Sequence, residues 1–359
     1  MDRARARLEA HYTARAEQLH ISPGTGATES MVQQRQAQRG YVPTPKKKGT
    51  LNILWVSANQ AQDESGCLQA LQRFGTVTVV RQVYPSASIS AREAQAENGV
   101  AVVLAHVRMS ECDVVLGQMW AQWMDLEKLS QIRGAAMGNV SMDDKLPELW
   151  EAGSGSVGLH HVLDLVLTTD PNAVLWYAVE GCPATFWPPA SDPALFKPAS
   201  VRDIPLSFIG TKYGVREKIV QAIEDAGFPI QCYGEGWPNG PLDAKRMADV
   251  MGRSQIVLGI GYIGHSEHVT TLKLRDFDAP MSGACYLTTY NPELERCYIE
   301  GYDIEYYRDI PQLISKLKFL DAHPIHALSI CYHARGSAMV RHTWEQRWER
   351  ALKLLGVLA

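Results

Sequence analysis

From Leu51 onward the chain alternates short apolar, β-branched runs with segments long enough for a helix, the pattern of β-α-β units feeding a parallel sheet. In the first half these runs predict strands at Leu51–Ser57, Val77–Arg81, Asp113–Gln118, Gly138–Met142 and Asp164–Thr168. The segments between them predict helices at Ser65–Phe74, Ala91–Val107, Leu126–Gly134 and Asn172–Glu180. The stretch from Trp187 to Pro198 is so dense in proline that neither helix nor interior strand persists, and it reads as an interdomain linker. A second series then predicts strands at Leu206–Gly210, Ile230–Tyr233, Gln255–Ile260, Cys285–Thr288 and Asp303–Tyr306. Its helices fall at Val215–Ala226, Asp243–Met251, Leu272–Met281, Pro292–Glu300, Ile310–Leu320, Ile325–Met339 and Thr343–Leu355.

The expected organisation is therefore two α/β domains, residues 50–198 and 199–341, with a closing helix in 342–359 that packs back on the first domain. Residues 1–49 differ, being rich in Arg, Gln, Ala and Gly with no strand-like run. Ala4–Leu19 predicts a helix, while the Pro and Gly near 22–26 and 43–45 break any continuation. This part is expected to be a helix on a flexible, solvated basic extension, with an arm for a protein partner as the other reading.

A length of 359 residues agrees with two cores rather than one. A hydrophobic content of 46% and a formal net charge of -4 point away from nucleic acid as a partner. No apolar run approaches the length of a membrane span and the amino terminus has no signal-peptide core, so a cytoplasmic protein is expected. The seven cysteines stand singly, with no C-x-x-C pair, and read as reduced thiols.

The first chemical motif is Gly259-Ile-Gly261-Tyr-Ile-Gly264, directly after a strand. A dinucleotide fold would place it in its first β-α-β unit, with an acid ending the next strand; here it follows a third strand and the acid is missing. What it retains is a general use: glycines let backbone amides approach a phosphate. Lys273, Arg275 and Asp278 follow on one short helix, with Arg275 and Asp278 at i,i+3. They lie at the carboxyl ends of parallel strands, where open α/β sheets bind ligands. A surface ion pair is the other reading of that spacing. His265 and His268, also at i,i+3, lack a third nearby zinc ligand and read as hydrogen-bonding groups.

Several ordered segments together carry a resemblance. Phe208-Ile-Gly-Thr with Arg216, Tyr233-Gly-Glu-Gly-Trp237, Leu274-Arg-Asp-Phe-Asp-Ala-Pro-Met, Gly301-Tyr-Asp-Ile-Glu-Tyr-Tyr-Arg and His342-Thr-Trp-Glu-Gln-Arg347 resemble the carboxyl-terminal domain of the CgeB-type, spore-maturation-like glycosyltransferases. The match runs from about residue 205 to 350, with weaker likeness at Asp164–Thr169, Tyr177–Gly181 and Trp187–Pro193. The resemblance implies a GT-B fold, two Rossmann-like doubly wound domains facing a central cleft, the second holding the donor and the first the acceptor. It implies a hexosyltransferase-type enzyme, retaining and metal-independent, using a UDP-, GDP- or dTDP-sugar and a glycan, protein or small-molecule acceptor. Related enzymes carry two acids, the second on the donor ribose; Arg275-Asp-Phe-Asp278 matches that second position with Asp for Glu. The first acid has no counterpart, since Thr270 stands in its place and Glu267 lies in another register. That departure leaves a catalytically silent nucleotide- or sugar-binding scaffold as the alternative.

Glycosyl transfer builds negative charge on the departing diphosphate, so fixed cations and amides at that point carry the chemistry. Arg275, Lys273, Asp278 and Glu267 are the expected catalytic group. The donor is expected at Thr211, Lys212, Arg216, Tyr233, Gly234, Trp237, Gly261, Gly264, His265, Thr271 and Leu272, with Arg275 and Asp278. Trp237 reads equally as a wall for the base or a cover over the core. Asn59, Asp143, Asp144 and His161 are the acceptor-side candidates.

Overall fold

Two parallel sheets, each assembled from runs of buried β-branched and aromatic residues, account for the chain in this computed structural model. It describes residues 2–22, 26–57, 62–83, 90, 93–94, 112–263, 265–266 and 268–359. Residues 1–63, 68–188 and 347–359 form one compact unit, and 64–67 with 189–346 the other.

The first unit holds β1 (Leu51–Ser57), β2 (Gly75–Arg81), β3 (Val114–Gly117), β4 (Ala136–Ser141), β5 (Leu165–Thr168) and β6 (Ala184–Phe186). All pair in parallel in the order β2-β1-β3-β4-β5-β6. Both faces of the central strands are covered, so β3, β4 and β5 are buried along their length, which is why β3 and β5 read as apolar runs. The three-residue β6, just before the proline-dense stretch, was not among the predicted strands, and the Trp187 amide continues its ladder to the Thr168 carbonyl. Its helices are α1 (Asp2–Gln18), α2 (Glu29–Gln38), α3 (Leu68–Gln72), α4 (Leu126–Ser130), α5 (Pro147–Glu151) and α6 (Pro171–Val179). The helix expected at Ala91–Val107 lies almost wholly outside the described residues.

The amino-terminal segment is not an arm. α1 lays Tyr12 against Trp176 and Trp150, at ring separations of 5.6 and 5.2 Å. Arg5 donates to Asp170 at 2.8 Å and stands over the Trp176 ring. From α2, Arg35 donates to the carbonyls of Leu163, His160 and His161, and Arg39 holds both oxygens of the buried Asp164 carboxylate at 2.6 and 2.7 Å. Arg5, Arg35 and Arg39 are thus internal ties, while Arg3 and Arg7 are exposed. Tyr12 donates to Glu180 at 2.9 Å. Tyr12→Phe is expected to cost about 1 kcal/mol, the net value of one such bond, in a urea unfolding midpoint. No change would show the phenol to be incidental to the docking of α1.

The second unit holds β7 (Ile204–Ile209), β8 (Gln231–Tyr233), β9 (Ser254–Gly259), β10 (Cys285–Thr289) and β11 (Glu305–Tyr307), parallel in the order β11-β10-β9-β7-β8. Around it lie α7 (Arg216–Asp225), α8 (Ala244–Arg253), α9 (Arg275–Met281), α10 (Ile310–Ala322) and α11 (Pro324–Arg341). The helix expected at Pro292–Glu300 is instead a run of turns, organised by Asn291, whose side chain accepts from the Glu293 amide. Last comes α12 (Trp344–Leu354), which returns the chain to the first unit, where Trp348 is buried between Trp55 and Trp187. Among the described residues no helix is long and apolar enough to cross a membrane.

Candidate functional site

The carboxyl ends of β7, β8 and β9 in the second unit gather most of the predicted donor residues. The turn after β7 and the turn after β8 are laced together: the Gly210 amide donates to the Tyr233 carbonyl and the Lys212 amide to the Glu235 carbonyl. Gly234 sits at φ +129°, and a Cβ there would stand 2.4 Å from the Gly210 carbonyl oxygen. Only glycine fits so close an approach of two backbones.

Two arginines converge on this point. Arg275, at the first turn of α9, donates to the carbonyls of Ile209 and Ile260, joining the ends of β7 and β9. Arg216, opening α7, donates to the Thr211 carbonyl at 2.7 Å and lies over the Tyr213 ring. A Cβ at Gly210 would meet Nη1 of Arg275 at 2.6 Å and Nη1 of Arg216 at 3.3 Å, so the missing side chain makes room for both guanidinium groups. Burial, and then the charge of Arg275, pull the Arg216 pKa down to about 10, which still leaves it a cation at neutral pH. Both Nε atoms are buried without a hydrogen-bond partner. Among the described residues neither arginine makes an ion pair. Their positive charge is therefore met by backbone carbonyls and aromatic faces and by no carboxylate.

Beside it, Lys212 lies over the Trp237 ring and pairs with Glu217 at 2.7 Å. A cavity of about 410 Å³ opens between α7 and the start of α10, lined by Lys218, Tyr262, His268, Tyr307, Arg308 and Pro311 among others. Arg308 and His268 were not singled out as donor ligands by sequence. The signal available was Arg308 directly after the apolar run of β11, at the same edge of the sheet.

Several predicted donor residues have other work. Trp237 is buried, edge-on to Phe208, with its indole N–H on the Gly210 carbonyl, so it covers the core. The Gly261 amide donates to Thr289 Oγ1 and its carbonyl accepts from the Thr271 amide, leaving neither for a phosphate. Gly259 is glycine because a Cβ would lie 2.1 Å from Thr288 Oγ1 and 2.3 Å from the Tyr286 hydroxyl. The glycine pattern therefore serves sheet packing. Leu272 and Thr271 are buried, Tyr233 donates to Gln231, and His265 is exposed. Gly264 and Glu267 lie outside the described residues.

Asp278 and Arg275 do not share a ligand-facing surface. Asp278 is fully buried, accepting from the Ser191 hydroxyl at 2.7 Å, with its second oxygen unpartnered. Burial pushes its carboxyl well above the usual range; the Ser191 bond opposes this, while Asp276 and Asp192 add to it. The uncharged acid is favoured there. Asp276, one turn position away, is also buried, accepting from the Lys273 amide and the Tyr286 hydroxyl.

In the first unit, Asp144 is buried and accepts from Ser141, Thr168 and Tyr177, so it is the centre of a polar network and not a base open to an acceptor. Asp143 is exposed on the same loop, His161 is exposed with its carbonyl held by Arg35, and Asn59 lies outside the described residues. Among the described residues no group of three His, Cys, Asp or Glu side chains is placed to hold a metal ion.

No curated protein matches the sequence. Sucrose-phosphate synthase from Thermosynechococcus elongatus is similar in structure, with a TM-score of 0.62 and 12% identity over 85% of this chain and 98% of that one. HepE from Anabaena, in complex with UDP and glucose, gives 0.59 at 11% identity over 86% and 100%. An α-glucosyltransferase in complex with UDP and a 13-mer DNA gives 0.60 at 11% identity over 86% and 100%. The chain thus has the GT-B fold, two parallel-sheet α/β domains, and its residues 216–353 match the family described as glycosyl transferase-like.

Proposed function

We propose that the protein is a glycosyltransferase using a UDP-sugar, whose diphosphate lies against Arg216 and Arg275 at the carboxyl end of the second sheet. The observation that carries this reading is the pair of buried guanidinium groups without a carboxylate partner among the described residues. UDP is favoured over GDP or dTDP because HepE and the α-glucosyltransferase were both solved with it. The base then occupies the cavity beside Tyr262 and Arg308. As the glycosidic bond to the donor breaks, charge builds on the diphosphate, and preorganised cations in a buried site stabilise it without reorganising. In a retaining course the leaving phosphate accepts the proton of the incoming hydroxyl, which needs no protein base.

UDP is expected to raise the melting temperature in proportion to its affinity, and a UDP-sugar to be hydrolysed slowly in the absence of acceptor. Arg216→Ala should weaken UDP by about 10- to 100-fold in calorimetric titration, the loss of a charge-assisted bond of about 1.5–3 kcal/mol. Unaltered UDP affinity in that variant refutes the site. UDP binding with no release of nucleotide from any UDP-sugar identifies a scaffold instead of an enzyme.

A further inference from the structure

The helix α11 is apolar on both faces. Its inner face, Ile330, Cys331, Ala334 and Ala338, is buried in the second unit. Its outer face shows Ile325, Leu328, Tyr332, Met339 and Val340 at 82%, 60%, 79%, 47% and 71% exposure. These positions fall on one stripe of a 3.6-residue repeat that runs the length of the helix, and Gly336 lies in the middle of it with nothing within 4 Å of a Cβ placed there. No charged side chain interrupts that stripe. A surface helix normally turns polar residues outward, so an apolar stripe of this length on the outside marks a contact surface.

We infer that this face binds the same face of a second copy of the chain, making a twofold dimer centred on Gly336. The five side chains expose ~700 Å², close to the ~800 Å² per partner of a standard stable interface. Two adjoining recesses run beside the helix and share Arg202, Leu328 and Cys331. One of about 760 Å³ runs along Tyr302, Tyr332, Met339 and Val340, and another of about 570 Å³ is lined by Phe228, Leu317, Leu320 and Leu328. An isologous contact uses ridge and recess together: the stripe of one copy enters the recesses of the other, and the reverse. The glycine at the centre lets two helix backbones approach closely. An anionic lipid surface fits less well, because the neighbouring cations are already engaged within the chain. Arg335 donates to the Phe196 and Met281 carbonyls, Arg202 to the Ser254 carbonyl, and Arg341 pairs with Asp303 at 3.5 Å.

Sedimentation velocity of the full chain at ~10 µM, a concentration above the dissociation constant of most interfaces of this size, is expected to show twice the monomer mass. Tyr332→Glu and Gly336→Arg should each halve that mass with unchanged far-UV circular dichroism. Both positions are exposed and distant in sequence from Arg216 and Arg275, so UDP affinity serves as a second control on folding. A wild-type monomer up to ~100 µM overturns the inference, as does a dimer that survives both substitutions. A monomer that floats with phosphatidylserine vesicles, and loses this on Tyr332→Glu, assigns the face to lipid and overturns it equally.

Discussion

Arg275→Ala is expected to lower both stability and donor binding, and the two losses are separable. The guanidinium joins the ends of β7 and β9 through the Ile209 and Ile260 carbonyls, and it stands over the Phe208 ring. Its removal leaves two carbonyls inside the sheet end without their donor, a loss of about 3 kcal/mol that a urea midpoint will register. It also halves the positive charge beside Gly210. With the protein still folded, UDP affinity should fall by about 100-fold and turnover of a UDP-sugar by a further factor of about 10, since the charge matters most when the diphosphate departs. Arg275→Lys tests the division. A single ammonium restores charge but not the planar fork that bridges two carbonyls, so binding should recover more than stability. If Arg275→Ala binds UDP within twofold of the wild type at a temperature where both are folded, Arg275 only ties strands, and the donor lies elsewhere.

The gathering of Arg216 and Arg275 at one sheet edge was legible in the sequence, and the partners of the acids beside them were not. Strands with both faces covered advertise themselves: β3 and β5 are apolar runs, and their positions follow from the sequence pattern alone. Ligand ends of such strands follow in turn, which brought Arg216, Arg275 and the glycine turns to the same edge. What a local pattern does not contain is the long-range partner. Asp278 reads as a ribose ligand until Ser191, 87 positions away, is seen to hold it. The arginines of residues 1–49 read as a solvated basic arm until Asp170, Glu180 and Asp164 are placed against them. The short β6 and the turns at 292–299 fall below any periodicity signal. A motif can also be right about geometry and wrong about purpose, as with Gly259, which is required by the Tyr286 hydroxyl rather than by a phosphate.

Asp144 gives the clearest stability effect, and its direction with pH is fixed by its surroundings. Burial raises its pKa from 3.8 to about 6; the Thr168, Ser141 and Tyr177 hydroxyls pull the other way, and Asp170 adds to the rise. The unfolded chain releases this proton near pH 4, whereas the folded protein keeps it until about pH 6. Across that window the folded state holds more protons, so stability declines as pH rises and is flat above it. The shift corresponds to about 3 kcal/mol lost between pH 4 and 7. Asp144→Asn removes the titration while its amide can still meet the three hydroxyls, so the variant should gain on the wild type as pH rises. The difference in unfolding free energy between the two, taken at pH 4.5 and again at pH 7.5, should grow by ~2 kcal/mol in favour of Asn, because all other titrating groups cancel. Asp144→Ala, by contrast, leaves three buried hydroxyls and a cavity, and should be less stable than the wild type at both pH values by about 3 kcal/mol. A difference between Asn and wild type that is independent of pH would mean that Asp144 is already ionised in the folded protein below pH 4.5, and the network would then be a charged one.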